Sequence, residues 1–236
     1  MRTRLFVKVF LTYGLCGLRG KALAAFLLLA VTFVGPTARP VYAEDPVTVL
    51  ALGDSLTQEY GLVQADGFVP QLGQWLTQQG TAARLINGGV SGDTTQGGAA
   101  RAAWSLTDDV DAMIVALGGN DLLRGIDPTV SRANLETILK VAEQKGVPVL
   151  LIGLRAPRNY GPEYKTAFDA IYPELAETHD ALYLESFFAG IEAQGGGAQQ
   201  KYFQADGIHP NKAGVALIVE GIGPSVVALI ERAGQK

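Results

Sequence analysis

The stretch VTVLALGDSLT, residues 47–57, joins an apolar run to a short polar turn. Valine, leucine and alanine dominate the run, which is typical of a strand buried on both faces of a parallel sheet. Glycine, aspartate and serine follow at once, and such residues commonly form the turn that ends a strand. Ser55 is therefore either a turn residue or a nucleophile at the edge of a sheet, and other residues must decide between these interpretations.

Four more short apolar runs follow along the chain, separated by longer segments with helical periodicity. Strands are predicted at 47–52, 84–86, 112–117, 147–152 and 182–184. Helices are predicted at 68–78, 95–106, 129–145, 163–178 and 212–232. This alternation predicts an α/β fold, a three-layer α/β/α sandwich around a five-stranded parallel sheet.

Polar or glycine-rich stretches follow the first three predicted strands. They read GDSLT, NGGVSGDTT and GGNDLLRG, and a fourth stretch, DGIHPN, lies late in the chain. Open parallel sheets bind their ligands beyond the carboxyl ends of the strands. We therefore expect the chemistry of this protein to be carried by these four stretches.

A serine nucleophile needs a neighbouring base, and the sequence contains only two histidines. His179 closes a helical pattern, where a histidine commonly helps to cap the helix. His209 follows Asp206 by three residues, so a turn could bring the carboxylate to the imidazole and stabilise its protonated form. The same spacing would also suit a pair that only orders a loop.

Acyl transfer also needs hydrogen-bond donors directed at the developing oxyanion. Gly92 offers a backbone N–H that a ligand can approach closely, and Asn120 offers a side-chain amide. Each alone is an ordinary turn residue. Their arrival after two successive strands favours an oxyanion hole.

Five segments of the chain together resemble one known family, the SGNH or GDSL hydrolases, and within it the bacterial thioesterase I/lysophospholipase and arylesterase group. In order, the segments are LGDSLT, GGVSGDTTQGG, VALGGNDLLRG, LRAPRNYGPEY and DGIHPN. The resemblance implies a flavodoxin-like fold in which Ser55 is the nucleophile and His209 and Asp206 complete a triad. It also implies that the Ser55 N–H, Gly92 and Asn120 form the oxyanion hole.

Two further features of the sequence bear on the shape of the pocket and on the choice of fold. Gln58 and Glu59 stand where members of the family usually carry small residues, which bears on the shape of the pocket near the nucleophile. The chain has no G-x-S-x-G motif, which argues against the α/β-hydrolase fold.

The first 43 residues are predicted to be a signal peptide. Basic residues precede an uncharged apolar run at 22–34, and Val41, Tyr42 and Ala43 precede the expected cleavage position. Cleavage after Ala43 would make the protein periplasmic or secreted. The alternative is an uncleaved N-terminal anchor.

Removal of residues 1–43 leaves one predicted domain, residues 44–236, with 13 basic and 23 acidic residues and a formal charge of −10. Such a charge disfavours nucleic acid and anionic membranes as partners. The single cysteine, Cys16, lies in the leader, so the mature chain has no disulfide or thiolate nucleophile. Two histidines without cysteine offer no dense transition-metal site, and we expect no metal or organic cofactor.

The sequence thus predicts an exported, monomeric serine esterase without a stable membrane anchor. It would hydrolyse small-molecule carboxylic esters or thioesters through an acyl-enzyme. Leu122, Leu123 and Ile126, with Tyr160 in the facing 155–164 segment, are the predicted substrate-binding residues; the alternative is that they pack under the loops as core. A carbohydrate O-acetylesterase and a non-catalytic binding protein on the same fold are the alternatives.

Overall fold

The computed structural model describes residues 46–195 and 199–235. The predicted leader, with its cleavage position after Ala43, lies outside the described residues. The secondary structure alternates between strands and helices from Val47 to Ala233.

Five parallel strands form one sheet in the order β2-β1-β3-β4-β5. Their bounds are β1 Val47–Gly53, β2 Ala83–Gly89, β3 Ala112–Ala116, β4 Val149–Ile152 and β5 Leu182–Leu184. The central strands β1, β3 and β4 are almost wholly buried, as their unbroken apolar runs predict. The strand order reverses beside β1, so the carboxyl end of β1 lies where an open sheet of this kind forms its ligand crevice.

Helices cover both faces of the sheet. Their bounds are α1 Ser55–Gln58, α2 Phe68–Gln78, α3 Thr95–Ser105, α4 Gly119–Arg124, α5 Pro128–Gln144, α6 Pro162–Asp169, α7 Ile171–Thr178, α8 Ala189–Glu192 and α9 Lys212–Ala233. One layer contains α2, α8 and α9, and the other contains α3, α5, α6 and α7. The predicted three-layer α/β/α sandwich is therefore confirmed.

The short helices α1, α4 and α8 were not predicted, and β4 begins at Val149 rather than at 147. Two other predicted elements also change. β2 extends to Gly89, beyond the predicted end at 86, because Asn87, Gly88 and Gly89 stay in register with the last residues of β1. The predicted helix 163–178 is divided into α6 and α7 at Ala170. Pro173 lacks the N–H that a continuous helix would need at that position, and its ring would meet the preceding turn.

The last helix, α9, is long and apolar enough to cross a membrane by length and composition alone. In this fold it packs against α2, α8 and the sheet. Its buried residues include Val215, Ile218, Ile222 and Val226. The apolar character of α9 therefore belongs to the core, and its first residue follows directly on the DGIHPN stretch.

Candidate active site

Ser55 stands at the carboxyl end of β1, as the first residue of the short helix α1. Asp54 caps this helix because its Oδ1 accepts a hydrogen bond from the Leu56 N–H at 3.0 Å. The turn is tight, since a Cβ on Gly53 would lie 2.0 Å from the Thr57 Oγ1. The strand end and the cap together fix the position of the Ser55 hydroxyl.

The Ser55 hydroxyl begins a chain of three polar side chains. Its Oγ lies 2.9 Å from Nε2 of His209, and Nδ1 of His209 lies 2.7 Å from Oδ2 of Asp206. The other oxygen of Asp206 accepts backbone N–H groups from Ile208 at 2.9 Å and His209 at 3.0 Å. Ser55 and His209 are far apart in sequence, and the fold brings them together.

These hydrogen bonds set the charge of Asp206. The backbone N–H of Ile208, then the His209 side chain, lower the pKa of this carboxyl to about 2. Asp206 is therefore ionised at neutral pH and accepts the proton on Nδ1 of His209. That tautomer leaves the Nε2 lone pair facing the Ser55 hydroxyl, which is the arrangement a general base requires.

The segment that carries His209 is held by contacts outside regular secondary structure. Phe203 and Pro210 form an isolated antiparallel bridge, and the Gln204 N–H donates to the His209 carbonyl at 2.8 Å. Nε2 of Gln204 donates to the Tyr60 carbonyl at 2.8 Å. The Tyr60 ring packs on the His209 imidazole with 4.5 Å between ring centroids. His209 is thereby tied to the segment that follows Ser55.

Both predicted oxyanion donors line the same pocket as Ser55. Gly92 follows β2 and has a φ of +84°, a conformation that favours glycine. Asn120 lies in the first turn of α4, and its Nδ2 donates to the Asp93 carbonyl at 2.9 Å and to Oδ2 of Asp54 at 3.3 Å. The contact with Asp54 is the longer and weaker of the two. A substrate oxygen would therefore replace Asp54 as an acceptor more easily than it would replace the Asp93 carbonyl.

Arg101 of α3 fixes the end of the sheet beneath this site. Its guanidinium donates to the Gly53 carbonyl at 2.8 Å, to the Gly88 carbonyl at 2.7 Å and to the Asp93 carboxylate at 2.7 Å. The carboxyl ends of β1 and β2 and the loop after β2 therefore share one anchor.

Asp54 is a buried carboxyl group beside the nucleophile, with 2% of its surface exposed. Burial raises its pKa to about 6, against the smaller opposing effects of the Leu56 N–H and the Asn120 amide. The site therefore contains two carboxyl groups whose environments push their pKa values in opposite directions.

The raised pKa of Asp54 predicts how stability depends on pH. Because the folded state holds this proton more tightly than the unfolded chain does, the contribution of Asp54 to stability falls as the pH rises from about 4 to about 6. The Asp54→Asn variant lacks this titration, so its free energy of unfolding relative to the wild type should increase by about 3 kcal/mol between roughly pH 4 and pH 7. Urea denaturation across this range measures the difference. A difference that does not change with pH would contradict the prediction.

The pocket beside Ser55 has a volume of about 800 Å³ and a mixed lining. Its apolar side chains include Leu122, Leu123, Leu154, Tyr160, Phe188, Phe203 and Ile208. On another part of the lining, Arg155 pairs with Glu192 at 3.4 Å, and Glu192 accepts from the Ser186 hydroxyl at 2.9 Å. The pocket can thus hold an apolar group and a polar group at once.

Three of the four predicted substrate-binding residues, Leu122, Leu123 and Tyr160, line this pocket. Ile126 does not line it, and its carbonyl instead accepts a hydrogen bond from the Tyr164 hydroxyl at 2.8 Å. His179 ends α7 away from the pocket, where its Nδ1 lies 3.4 Å from the Glu143 carboxylate.

Sequence analysis missed several of the pocket residues. Leu154 follows β4 directly, so the rule that ligands bind beyond strand ends could have identified it. Phe188 and Phe203 lie on either side of the glycine-rich stretch at 195–197. Aromatic residues on both sides of a glycine-rich stretch are a weak sequence signal for a pocket lining.

Gln58 and Glu59 do not line the pocket, whereas Leu56 and Tyr60 on either side do. Oε1 of Gln58 accepts the Ser91 N–H at 2.8 Å, and Oε1 of Glu59 accepts from the Asn87 amide at 3.0 Å. Glu59 ends α1 with a φ of +76°. These two residues therefore contact β2 and the loop after it rather than the substrate space.

Comparisons with known proteins show which proteins this chain is similar to. Residues 51–217 match the model of the GDSL-like Lipase/Acylhydrolase family. The chain is 36% identical over 184 residues to Esterase TesA of Pseudomonas aeruginosa, an alignment that covers 78% of this chain and 89% of that protein. It is 35% identical over 184 residues to Thioesterase 1/protease 1/lysophospholipase L1 of Escherichia coli (strain K12), covering 78% of this chain and 85% of that protein.

A solved structure shows the same likeness in three dimensions. The crystal structure of AlinE4, an SGNH-hydrolase family esterase, superposes with a TM-score of 0.64 at 40% sequence identity. The alignment covers 78% of this chain and 96% of that one.

Proposed function

Since this chain belongs to the GDSL-like lipase/acylhydrolase family and is an ester-hydrolysing enzyme, we propose that it is an exported serine esterase that works through an acyl-enzyme. The observation that carries the proposal is the continuous chain from the Ser55 hydroxyl through His209 to Asp206, at the edge of an open pocket.

The first half of the reaction forms the acyl-enzyme. Oγ of Ser55 attacks the carbonyl carbon while Nε2 of His209 takes the hydroxyl proton, and ionised Asp206 stabilises the imidazolium that results. The Ser55 and Gly92 N–H groups and the Asn120 amide hold the negative oxygen of the tetrahedral intermediate. The intermediate collapses, the bond to the leaving alcohol or thiol breaks, and His209 returns the proton to that group.

The second half releases the acid. A water molecule enters beside His209, which takes one of its protons as the oxygen attacks the acyl carbonyl. The second tetrahedral intermediate uses the same three donors. Its collapse breaks the bond to Ser55, and the proton on His209 passes to the Ser55 oxygen, which restores the free enzyme.

The pocket favours an ester or thioester with an apolar acyl or aryl group. Leu122 and Leu123 lie on α4, two and three residues after Asn120, and line the same pocket, so an acyl chain that extends from the oxyanion site would meet them. A pocket of about 800 Å³ exceeds what an acetyl group alone requires. Because a sugar would also occupy part of this volume, the apolar lining beside Asn120 is what favours an esterase of broader acyl range over a carbohydrate O-acetylesterase.

A panel of p-nitrophenyl acetate, butyrate and octanoate, with an acyl-CoA, tests this proposal. The purified enzyme should hydrolyse the esters, and the Leu123→Ser variant should lose about fivefold more kcat/KM on octanoate than on acetate, because apolar contact area is lost. The Val130→Ser variant changes another exposed apolar residue outside the pocket and is the matched control. Equal losses on both esters would reject the role of Leu123, and no turnover of any ester would reject the proposed function.

The proposed export rests on the leader, in which basic residues precede an apolar run and small residues precede the cleavage position. The intact mass of the exported protein should correspond to a chain that begins at Glu44. Retention of residues 1–43 in that protein would reject cleavage.

A further inference from the structure

The loop that carries Gly92 is held by three side chains from two other segments, one on α1 and two on α4. Oε1 of Gln58 accepts the Ser91 N–H at 2.8 Å. Nη2 of Arg124 donates to the Gly92 carbonyl at 2.8 Å. Nδ2 of Asn120 donates to the Asp93 carbonyl at 2.9 Å. Three consecutive residues of the loop thus each have one backbone group fixed by a distant side chain.

The direction of the Gly92 N–H depends on the peptide group between Ser91 and Gly92. Gln58 fixes the peptide group before it, through the Ser91 N–H, and Arg124 fixes the one after it, through the Gly92 carbonyl. Gly92 itself has no side chain to limit rotation, and its φ of +84° lies in a region that glycine enters and leaves freely. The orientation of this donor is therefore set by these two side-chain contacts together with the turn that the Asp93 N–H closes on the Val90 carbonyl at 3.0 Å.

Gln58 is well placed to fix that orientation relative to the nucleophile. It is the last residue of α1, and Ser55 is the first. The backbone of Gln58 is itself seated against the end of β2, since a Cβ on Gly89 would lie 2.4 Å from the Gln58 nitrogen. One short helix therefore carries the attacking oxygen at one end and a hydrogen-bond acceptor for the loop at the other.

We propose that Gln58 is a positioning residue that holds the Gly92 N–H toward the oxyanion. This inference rests on the proposed function, because it assumes that Gly92 is an oxyanion donor in acyl transfer. Water could replace Gln58 as an acceptor for the Ser91 N–H, but water would not hold the loop in one direction. Since the residue is exposed, the loss of this bond should affect catalysis far more than stability.

The test compares variants that remove or keep the acceptor. Gln58→Met removes it at similar length, Gln58→Asn keeps the amide but is one methylene too short, and Gln58→Glu keeps an acceptor in reach. We expect Gln58→Met and Gln58→Asn to lower kcat on p-nitrophenyl butyrate about tenfold with little change in KM. This decrease is smaller than the decrease expected when an oxyanion donor is removed altogether. Gln58→Glu should retain most of the activity.

Inhibition by an alkyl trifluoromethyl ketone gives a second readout, because its hemiketal with a serine places an oxyanion where the intermediate has one. In Gln58→Met and Gln58→Asn, the inhibition constant of this ketone should rise by the same factor by which kcat/KM falls. Gln144→Met, at the exposed end of α5, is the matched control and should leave both quantities unchanged.

Several outcomes would overturn the inference. The first is a kcat within twofold of the wild type for folded Gln58→Met or Gln58→Asn. The second is a decrease in kcat for Gln58→Glu as large as that for Gln58→Met, and the third is a change in KM without a change in kcat. If one of the first two variants fails to fold, the other decides. Wild-type turnover, and labelling of Ser55 by an organophosphonate, are measured first. Their absence rejects the proposed function, whereas their presence with unaffected Gln58 variants rejects only the role of Gln58.

Discussion

The Ser55→Ala variant should lose about 10⁶-fold in kcat, the size of loss that removal of the nucleophile causes in a serine triad. The covalent route disappears because no other described hydroxyl shares the 2.9 Å contact with Nε2 of His209. Turnover of p-nitrophenyl butyrate by the purified variant measures the loss. A thermal melt should remain near that of the wild type, since only one oxygen atom at a pocket surface is removed.

Labelling identifies the nucleophile independently of the kinetics. An organophosphonate should modify the wild type at Ser55 alone, as read by peptide mass spectrometry, and should leave the Ser55→Ala variant unmodified. Ser105→Ala, at the end of α3 and outside the pocket, is a control that should keep both turnover and labelling. Near-normal turnover by a folded Ser55→Ala variant, or a label at another serine, would return Ser55 to the role of a turn residue.

The Asp206→Asn variant should lose about 10⁴-fold in kcat, as expected when the carboxylate that orients a catalytic histidine is replaced by its amide. Asp206 accepts backbone N–H groups with one oxygen and the Nδ1 proton with the other. In the amide, the single oxygen would take the backbone donors and the NH₂ group would face Nδ1. Nδ1 of His209 would then accept a hydrogen bond from the amide. Nε2 of His209 would carry the proton and could no longer act as a base.

A matched substitution separates this effect from a general loss of structure. Asp127 also accepts a backbone N–H two residues ahead, from Thr129 at 2.8 Å, but it caps α5 outside the pocket. Asp127→Asn should therefore keep the wild-type kcat. A loss of less than tenfold in folded Asp206→Asn would show that Asp206 does not control the tautomer of His209.

Much of this architecture could be predicted from local patterns. Buried parallel strands have continuous apolar runs, so the runs that became β1, β3 and β4 were identifiable, and the rule for strand ends led directly to Ser55, Gly92 and Asn120. The Asp206–His209 pair was recognisable because both residues lie in one turn. These signals depend only on neighbours in sequence.

The remaining features depend on contacts between distant segments. The extension of β2 through Gly88 and Gly89 could not be predicted because it comes from pairing with β1, whereas the two glycines alone indicate a loop. The contact of Gln58 with Ser91 is of the same kind, since these residues are 33 positions apart. Periodicity reports which face of an element is buried, and it carries no information about which loop a polar side chain will reach.

The hydrogen bond between Ser55 and His209 joins residues that are 154 positions apart. Ser55, the proposed nucleophile, follows the first strand of the sheet, and His209, the proposed base, lies three residues before the start of the last helix. A contact that closes so long a loop forms only once most of the chain is already ordered, because its entropic cost must be offset by other contacts. A chain still emerging from the ribosome therefore carries Ser55 without the histidine that is proposed to activate it. We therefore expect ester hydrolysis to begin only when the segment before α9 has taken its place beside β1 and the fold is complete.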